Sequence, residues 1–161
     1  MLRSCYLASL ILVASPLWGA ITEHSQVMAQ AVGLPVFTNA AGIAIQGTDP
    51  VAYFTLGEPT PGMAEFSYTW MDATWYFSSA AHRDAFIANP EAYAPQYGGY
   101  CAYAVANGYT ASIDPAAWRI VDDRLYLNFS TGVQRRWERD ISGHIEQADR
   151  NWPSARADFR R

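Results

Sequence analysis

A hairpin followed directly by a helix is the pattern that most constrains how this chain folds. Residues 65–70 alternate polar and aromatic side chains, which is typical of a strand with one buried face. Residues 71–73 supply a turn, and residues 74–77 supply a second strand rich in aromatic side chains. A serine pair then favours the start of a helix over residues 80–88, which ends before Pro90. The sequence therefore predicts an antiparallel hairpin with a helix attached to it.

A second hairpin is expected further along the chain. Residues 119–121 and 125–129 are rich in apolar and β-branched side chains and flank the dipeptide Asp122-Asp123. Aspartate is favoured in tight turns because its side chain bonds nearby backbone and tolerates left-handed backbone angles. These residues predict two further antiparallel strands.

The remaining elements are expected to be short helices. A helix is predicted over residues 100–106, a helical turn at Asp114-Pro115, a capped helix over 130–140 and another over 141–152. Pro153 is expected to end the last of these, since proline lacks a backbone N–H. Together the elements indicate an α+β fold: one small domain with short antiparallel hairpins packed against several short helices.

The N-terminus has the order of a secretory signal peptide. Arg3 precedes an apolar run at residues 6–18, which is too short to cross a bilayer as a helix of ~20 apolar residues. The expected organisation is a signal peptide and leader at 1–29, a linker at 30–41, a folded domain at 42–153 and a C-terminal tail at 154–161. This order predicts a periplasmic or secreted protein with no membrane span in its mature form.

The amino-acid composition and net charge bear on which kind of molecule the protein can bind. Half of the residues are apolar, so a packed core is feasible. The net charge is −4 and the chain contains no lysine. Binding to nucleic acid requires a basic patch, and the arginines here are interleaved with carboxylates. The sequence therefore argues against a nucleic-acid partner.

A tyrosine-rich segment at residues 89–110 holds the cysteine expected in the mature protein, Cys101. It follows Gly98-Gly99, whose missing side chains permit close approach of backbone or ligand. If a helix begins at Tyr100, its positive end is expected to lower the pKa of the thiol. A thiolate there would be a nucleophile or a metal ligand, whereas a buried thiol would be an apolar filler.

The histidines offer a second candidate ligand. His82 lies one turn into the helix predicted after the first hairpin, and Ser78 lies one helical turn before it. Neutral imidazole is a common ligand of transition metals. His144 is a weaker candidate, and His24 lies in the leader. The chain lacks the standard sequence motifs of zinc peptidases, serine hydrolases and phosphate-binding loops.

Several strings resemble the YHS domain, in the secreted bacterial branch of that family. The strings, in order, are DPVAYF at 49–54, FSY at 66–68, WYFSS at 75–79, NPEAY at 89–93 and PQYGGYCA at 95–102. The resemblance covers residues 42–153. It implies a relationship to small metal-binding modules found in or beside heavy-metal transporters, sensors and oxygenases.

The resemblance also implies where metal ligands stand in the cysteine-bearing members. Those members are similar in having a cysteine after Asp-Pro-Val and a Cys-x-x-x-Cys at a strand-to-helix junction. In this chain the corresponding positions hold Ala52, Ser78 and His82. The family's thiolate cage therefore cannot form here, and Cys101 is a thiol at a new place.

Three hypotheses follow. The first is a periplasmic, non-enzymatic binding protein that holds copper, a soft transition metal, through Cys101 and His82, with Ser78, Tyr100 and His144 as weaker candidates. The second is a module that binds a periplasmic protein partner or a ligand through its tyrosine-rich loop, with Cys101 structural and an exposed apolar patch at residues 97–103. The third is a thiol-dependent enzyme that pairs Cys101 with a histidine.

Overall fold

The computed structural model describes residues 36–158, with side chains described through residue 153. The predicted signal peptide and leader, and the first half of the predicted linker, lie outside the described residues. Within them the fold is α+β, as predicted. No helix in this part of the chain is long and apolar enough to cross a membrane.

The first hairpin and its helix match the prediction. Strand β1 (Met63–Trp70) pairs antiparallel with β2 (Ala73–Phe77). The two turn residues, Met71 and Asp72, both have positive φ, 53° and 57°, which suits the twist of a two-residue hairpin. Helix α2 (Ala80–Ala88) then begins, and the hydroxyl of Ser79, the residue before it, accepts a hydrogen bond from the backbone N–H of His82.

The second hairpin pairs strands β3 (Asp114–Val121) and β4 (Arg124–Asn128). The predicted helical turn at Asp114-Pro115 is wrong, because these residues open β3. The Asp114 carboxylate accepts from the backbone N–H of Ala116, and the carbonyl of Pro115 accepts from the hydroxyl of Tyr53. The pairing register shifts between Asp114 and Trp118, where a proline without an N–H is tolerated.

Short helices connect and cover the hairpins. Besides α2 they are α1 (Ala52–Thr55), α3 (Pro90–Tyr93), α4 (Ala102–Ala106), α5 (Thr131–Trp137) and α6 (Ile141–Asp158). Helix α5 begins after Ser130, whose hydroxyl accepts from the N–H of Val133. Helix α6 does not end at Pro153 as predicted but continues through it. The Trp152 ring packs on Tyr97 and Tyr100, which favours the helical path around the proline.

The core consists of two hydrophobic clusters. The first joins the two hairpins to α2, with Trp75 and Phe86 stacked at a ring-centroid distance of 5.2 Å. The second lies where α4, α5 and α6 meet β4, around Tyr126 and Trp137, whose rings are 5.3 Å apart. Since the predicted tyrosine-rich segment contributes to both clusters, it is part of the core.

Candidate functional sites

A buried carboxylate, Asp49, organises the region around His82. Its Oδ1 accepts from the backbone N–H groups of Val51, at 2.9 Å, and Ala52, at 3.3 Å, and so caps the start of α1. Its Oδ2 accepts from the backbone N–H of Ser78 at 2.8 Å and from the Ser78 hydroxyl at 2.6 Å. The side chain is fully buried. Asp49 therefore connects α1 with the end of β2.

The imidazole of His82 completes this network. Its Nδ1 lies 2.6 Å from Asp49 Oδ2, and its Nε2 lies 3.2 Å from the hydroxyl of Thr55. Because a carboxylate only accepts hydrogen bonds at this contact, Nδ1 carries the proton. The His82 side chain is 17 % exposed. Asp49 thus fixes the orientation of the His82 ring, as carboxylates do for histidines in many metal sites.

Asp49 was missed as a site residue by sequence reasoning, where it appears only as the first residue of the string DPVAYF. It does cap α1, but its second oxygen holds a residue 33 positions away. Helix periodicity and turn chemistry act over a few residues, so no local pattern signals this contact. Ser78, a weaker candidate from the sequence, is brought next to His82, at 3.2 Å from Nδ1.

Cys101 is a buried residue at the start of α4. It is 1 % exposed and belongs to the first hydrophobic cluster. Its Sγ accepts from the backbone N–H of Phe129 at 3.3 Å and donates to Asn128 Oδ1 at 3.8 Å. The same Asn128 oxygen accepts from the backbone N–H of Tyr103 at 3.2 Å. These contacts tie the end of β4 to the first turn of α4.

The expectation that the Cys101 pKa is lowered is wrong. Burial raises the pKa of the thiol, and the backbone N–H groups of Tyr103, Ala104 and Phe129 offset this only in part. The effect of desolvation on the thiol pKa outweighs that of the helix dipole, because α4 has only five residues and the sulfur lies inside the core. The thiol is therefore the favoured form near neutral pH.

The residues proposed as metal ligands make their contacts in different places. Cys101 bonds Asn128 and Phe129, whereas His82 bonds Asp49, Ser78 and Thr55. Within residues 36–153, no group of three His, Cys, Asp or Glu side chains is placed to hold a metal ion. A single oriented imidazole is not enough for a stable site. A copper centre on Cys101 and His82 therefore stays a prediction, since these contacts give the two residues no hydrogen-bond partner in common.

The other two weak candidates pack into the second cluster. His144 Nδ1 lies 2.8 Å from the carbonyl oxygen of Trp137, and its ring packs on Tyr103. The ring of Tyr100 contacts those of Phe37 and Trp152, and burial raises the pKa of its hydroxyl. Both have contacts that explain their position without a metal.

A pocket beside the tyrosine-rich segment was not expected from the sequence. Its volume is about 450 Å³, within the range of small-molecule sites. Aromatic and charged side chains share the lining with smaller residues. The aromatic members are Trp70, Trp75, Tyr97 and Trp152, and the charged members are Glu91, Arg124 and Asp149. We call this cavity the aromatic pocket.

Tyr97 forms the inner wall of the aromatic pocket. It is 6 % exposed, and its φ of 57° is left-handed, a strained angle for a residue with a side chain. The hydroxyl donates to Asp149 Oδ1 at 2.9 Å. Burial, followed by the nearby Asp149 carboxylate, raises the pKa of Tyr97 far above its usual range. The phenol is therefore a neutral donor that orients Asp149.

The segment at residues 97–103 does not form an exposed apolar patch. Tyr97, Cys101 and Ala102 are buried, and Tyr100 and Tyr103 are half-buried. Gly99 lies against Ile45, where an added Cβ would come within 2.7 Å of Ile45 Cγ2. Gly99 thus allows close packing of the chain, and Tyr97 and Gly98 of this segment line the pocket.

Comparisons of this chain with models of protein families, with curated proteins and with solved structures give no match. The resemblance to the YHS domain rests on the sequence strings alone.

Proposed function

We propose that this chain is a binding module that takes a small organic ligand in the aromatic pocket, with Cys101 in a structural role. The observation that carries the proposal is the lining of the pocket, in which aromatic walls stand beside a few charged groups. Small-molecule sites have this composition, because apolar walls supply affinity and a few polar groups fix orientation. The N-terminal signal pattern supports action in the periplasm or outside the cell.

The state of Cys101 supports a binding module over a thiol enzyme. A nucleophilic cysteine needs a thiolate and access to substrate. The Cys101 thiol is buried, its pKa is raised, and its hydrogen bonds go to Asn128 and Phe129. These properties are those of a packing residue.

A titration followed by nuclear magnetic resonance tests the proposal. Nitrogen-labelled protein is mixed with indole, phenylacetate, phenethylamine and choline as separate probes at millimolar concentration. We expect at least one probe to shift the indole N–H signals of Trp70, Trp75 and Trp152, which line the pocket. The signal of Trp118 should not move, since this residue packs against Tyr53 outside the pocket.

Matched tryptophan variants make the result specific. Trp152→Leu removes one wall of the aromatic pocket, whereas Trp118→Leu removes a half-buried tryptophan elsewhere. Binding should weaken about tenfold or more in the first variant and stay unchanged in the second, with both folds verified by circular dichroism. Equal weakening of binding in the two variants would reject the proposal. So would the absence of an indole N–H signal shift with every probe.

Copper binding is a second candidate, supported by the way Asp49 orients His82. For Cys101 to take part, its sulfur would have to leave the contacts with Asn128 and Phe129. Anaerobic titration of the reduced protein with Cu(I) against a competing chelator tests this candidate. Stoichiometric binding lost in both Cys101→Ser and His82→Ala would support it, and binding that survives in both variants would reject it.

A further inference from the structure

The charges of the aromatic pocket do not cancel. Glu91 and Asp149 are carboxylates, and Arg124 is the one cation among the described lining residues. With two carboxylates and one guanidinium, the described lining of the pocket carries one net negative charge.

Glu91 has no salt-bridge partner among the described side chains. Helix α3 carries it to the rim of the pocket, and its side chain is exposed. Among the described side chains, none of the ion pairs within 4 Å includes Glu91. Among the described side chains, Glu91 is therefore a carboxylate without a salt-bridge partner beside the aromatic walls.

The neighbouring groove adds to this negative potential. It shares Asp149 with the aromatic pocket and is lined by five carboxylates and one arginine: Asp122, Glu138, Asp140, Glu146 and Asp149, with Arg139. Arg119 and Arg150 partly offset Glu138 and Glu146 through exposed ion pairs. Fields of like charge around a cleft raise the local concentration of ligands of opposite charge.

Aromatic walls and negative charge together select for cations. The face of an indole or phenol ring is negative, and a cation placed over it is attracted, most strongly over tryptophan. The Trp70 and Trp75 rings are 5.8 Å apart, and Tyr97 and Trp152 are 5.9 Å apart, so two aromatic pairs stand in the pocket wall. An organic anion is disfavoured here, because the carboxylates of the described lining outnumber its single arginine.

We infer that the aromatic pocket binds an organic cation of the primary or quaternary ammonium class. The inference rests on the proposed function, since it names the ligand class of that pocket. The ammonium group lies against the aromatic walls, and Glu91 balances its charge. The apolar part of the ligand fills the remaining volume.

Calorimetric titration with choline and with its uncharged isostere, in which carbon replaces the quaternary nitrogen, tests the inference on the full chain. The two probes have the same shape, so their difference isolates the charge. Choline should bind about tenfold more tightly than the isostere. Glu91→Gln should weaken choline binding about threefold or more, while Glu65→Gln, an exposed change on β1, should leave it unchanged.

The outcomes separate the inference from the proposed function. Equal affinity for choline and its isostere would overturn the choice of a cation but leave the pocket as a ligand site. Binding of indole or phenylacetate, with no binding of choline, would also overturn the choice of a cation and leave the pocket as a ligand site. If none of these probes shifts the signals of the pocket, both the inference and the proposed function fail.

Discussion

Asp49 Oδ2 and His82 Nδ1 lie 2.6 Å apart, and this contact fastens helix α2 to the segment that leads into α1. The carboxylate is fully buried, whereas the imidazole is partly exposed. A buried charge is tolerated only when its hydrogen bonds are satisfied, and Asp49 accepts from Val51, Ala52, Ser78 and His82. One side chain therefore joins α1, the end of β2 and α2.

Asp49→Ala should lower the free energy of unfolding by about 3 kcal/mol, because it leaves several buried backbone N–H groups without an acceptor. Urea denaturation followed by circular dichroism measures the change. Asp84→Ala serves as the control, since Asp84 is exposed and pairs only with its neighbour Arg83. The control should change stability by less than about 0.5 kcal/mol. A similar loss in both variants would contradict the role given to Asp49.

The Cys101 thiol should react slowly with iodoacetamide in the native protein. Burial raises its pKa, so the reactive thiolate is scarcer than in free cysteine, and access is restricted. The rate is measured in a Cys5→Ser background, which leaves one thiol. Denaturation should raise the rate by orders of magnitude, and the native rate should increase only at alkaline pH. Equal rates in native and denatured protein would show that the thiol is accessible.

Gly99→Ala should destabilise the fold by about 2–4 kcal/mol. Gly99 has a φ of +84°, which disfavours a side chain, and an added Cβ would collide with Ile45. Gly132→Ala is the matched control, because its φ is ordinary and an added Cβ would meet only normal contacts in helix α5. The control should be neutral or slightly stabilising. Thermal unfolding of both variants distinguishes a positional effect from a general effect of alanine.

Stability should fall steeply at alkaline pH. The pKa values of Tyr53, Tyr97, Tyr100, Tyr126 and Cys101 are all raised, mainly through burial. Above the ordinary phenol pKa of about 10, the folded chain holds more protons than the unfolded chain, so rising pH favours unfolding. Near-ultraviolet absorbance of tyrosinate and circular dichroism should therefore change together. Full ionisation of these tyrosines before any loss of structure would contradict this prediction.

Elements set by local signals could be predicted from the sequence. Both hairpins carry a two-residue turn between strands of alternating or apolar character. The serine caps of α2 and α5 are equally local. The errors occurred where distant residues decide the outcome. Pro153 continues α6 beside the packed ring of Trp152, and Pro115 lies in a strand whose partner is β4.

The candidate sites were less predictable than the fold. His82 and Ser78 were identified, but the residue that holds them, Asp49, lies about thirty positions away along the chain. The Cys101 pKa depends on burial, which a short helix beside a glycine pair does not reveal. The aromatic pocket gathers residues from both hairpins, the tyrosine-rich segment and α6, so only the tertiary structure brings its lining together.

Helix α6 has a consequence for the order of folding during synthesis. Asn151 donates from its Nδ2 to the carbonyls of Val105 and Ala106, and Asp149 accepts from Tyr97. These contacts join α6 to residues that are made much earlier. The second hydrophobic cluster can therefore be completed only after α6 has been made. Nascent chains lacking α6 should therefore be half-folded, with the wall of the pocket open on one side.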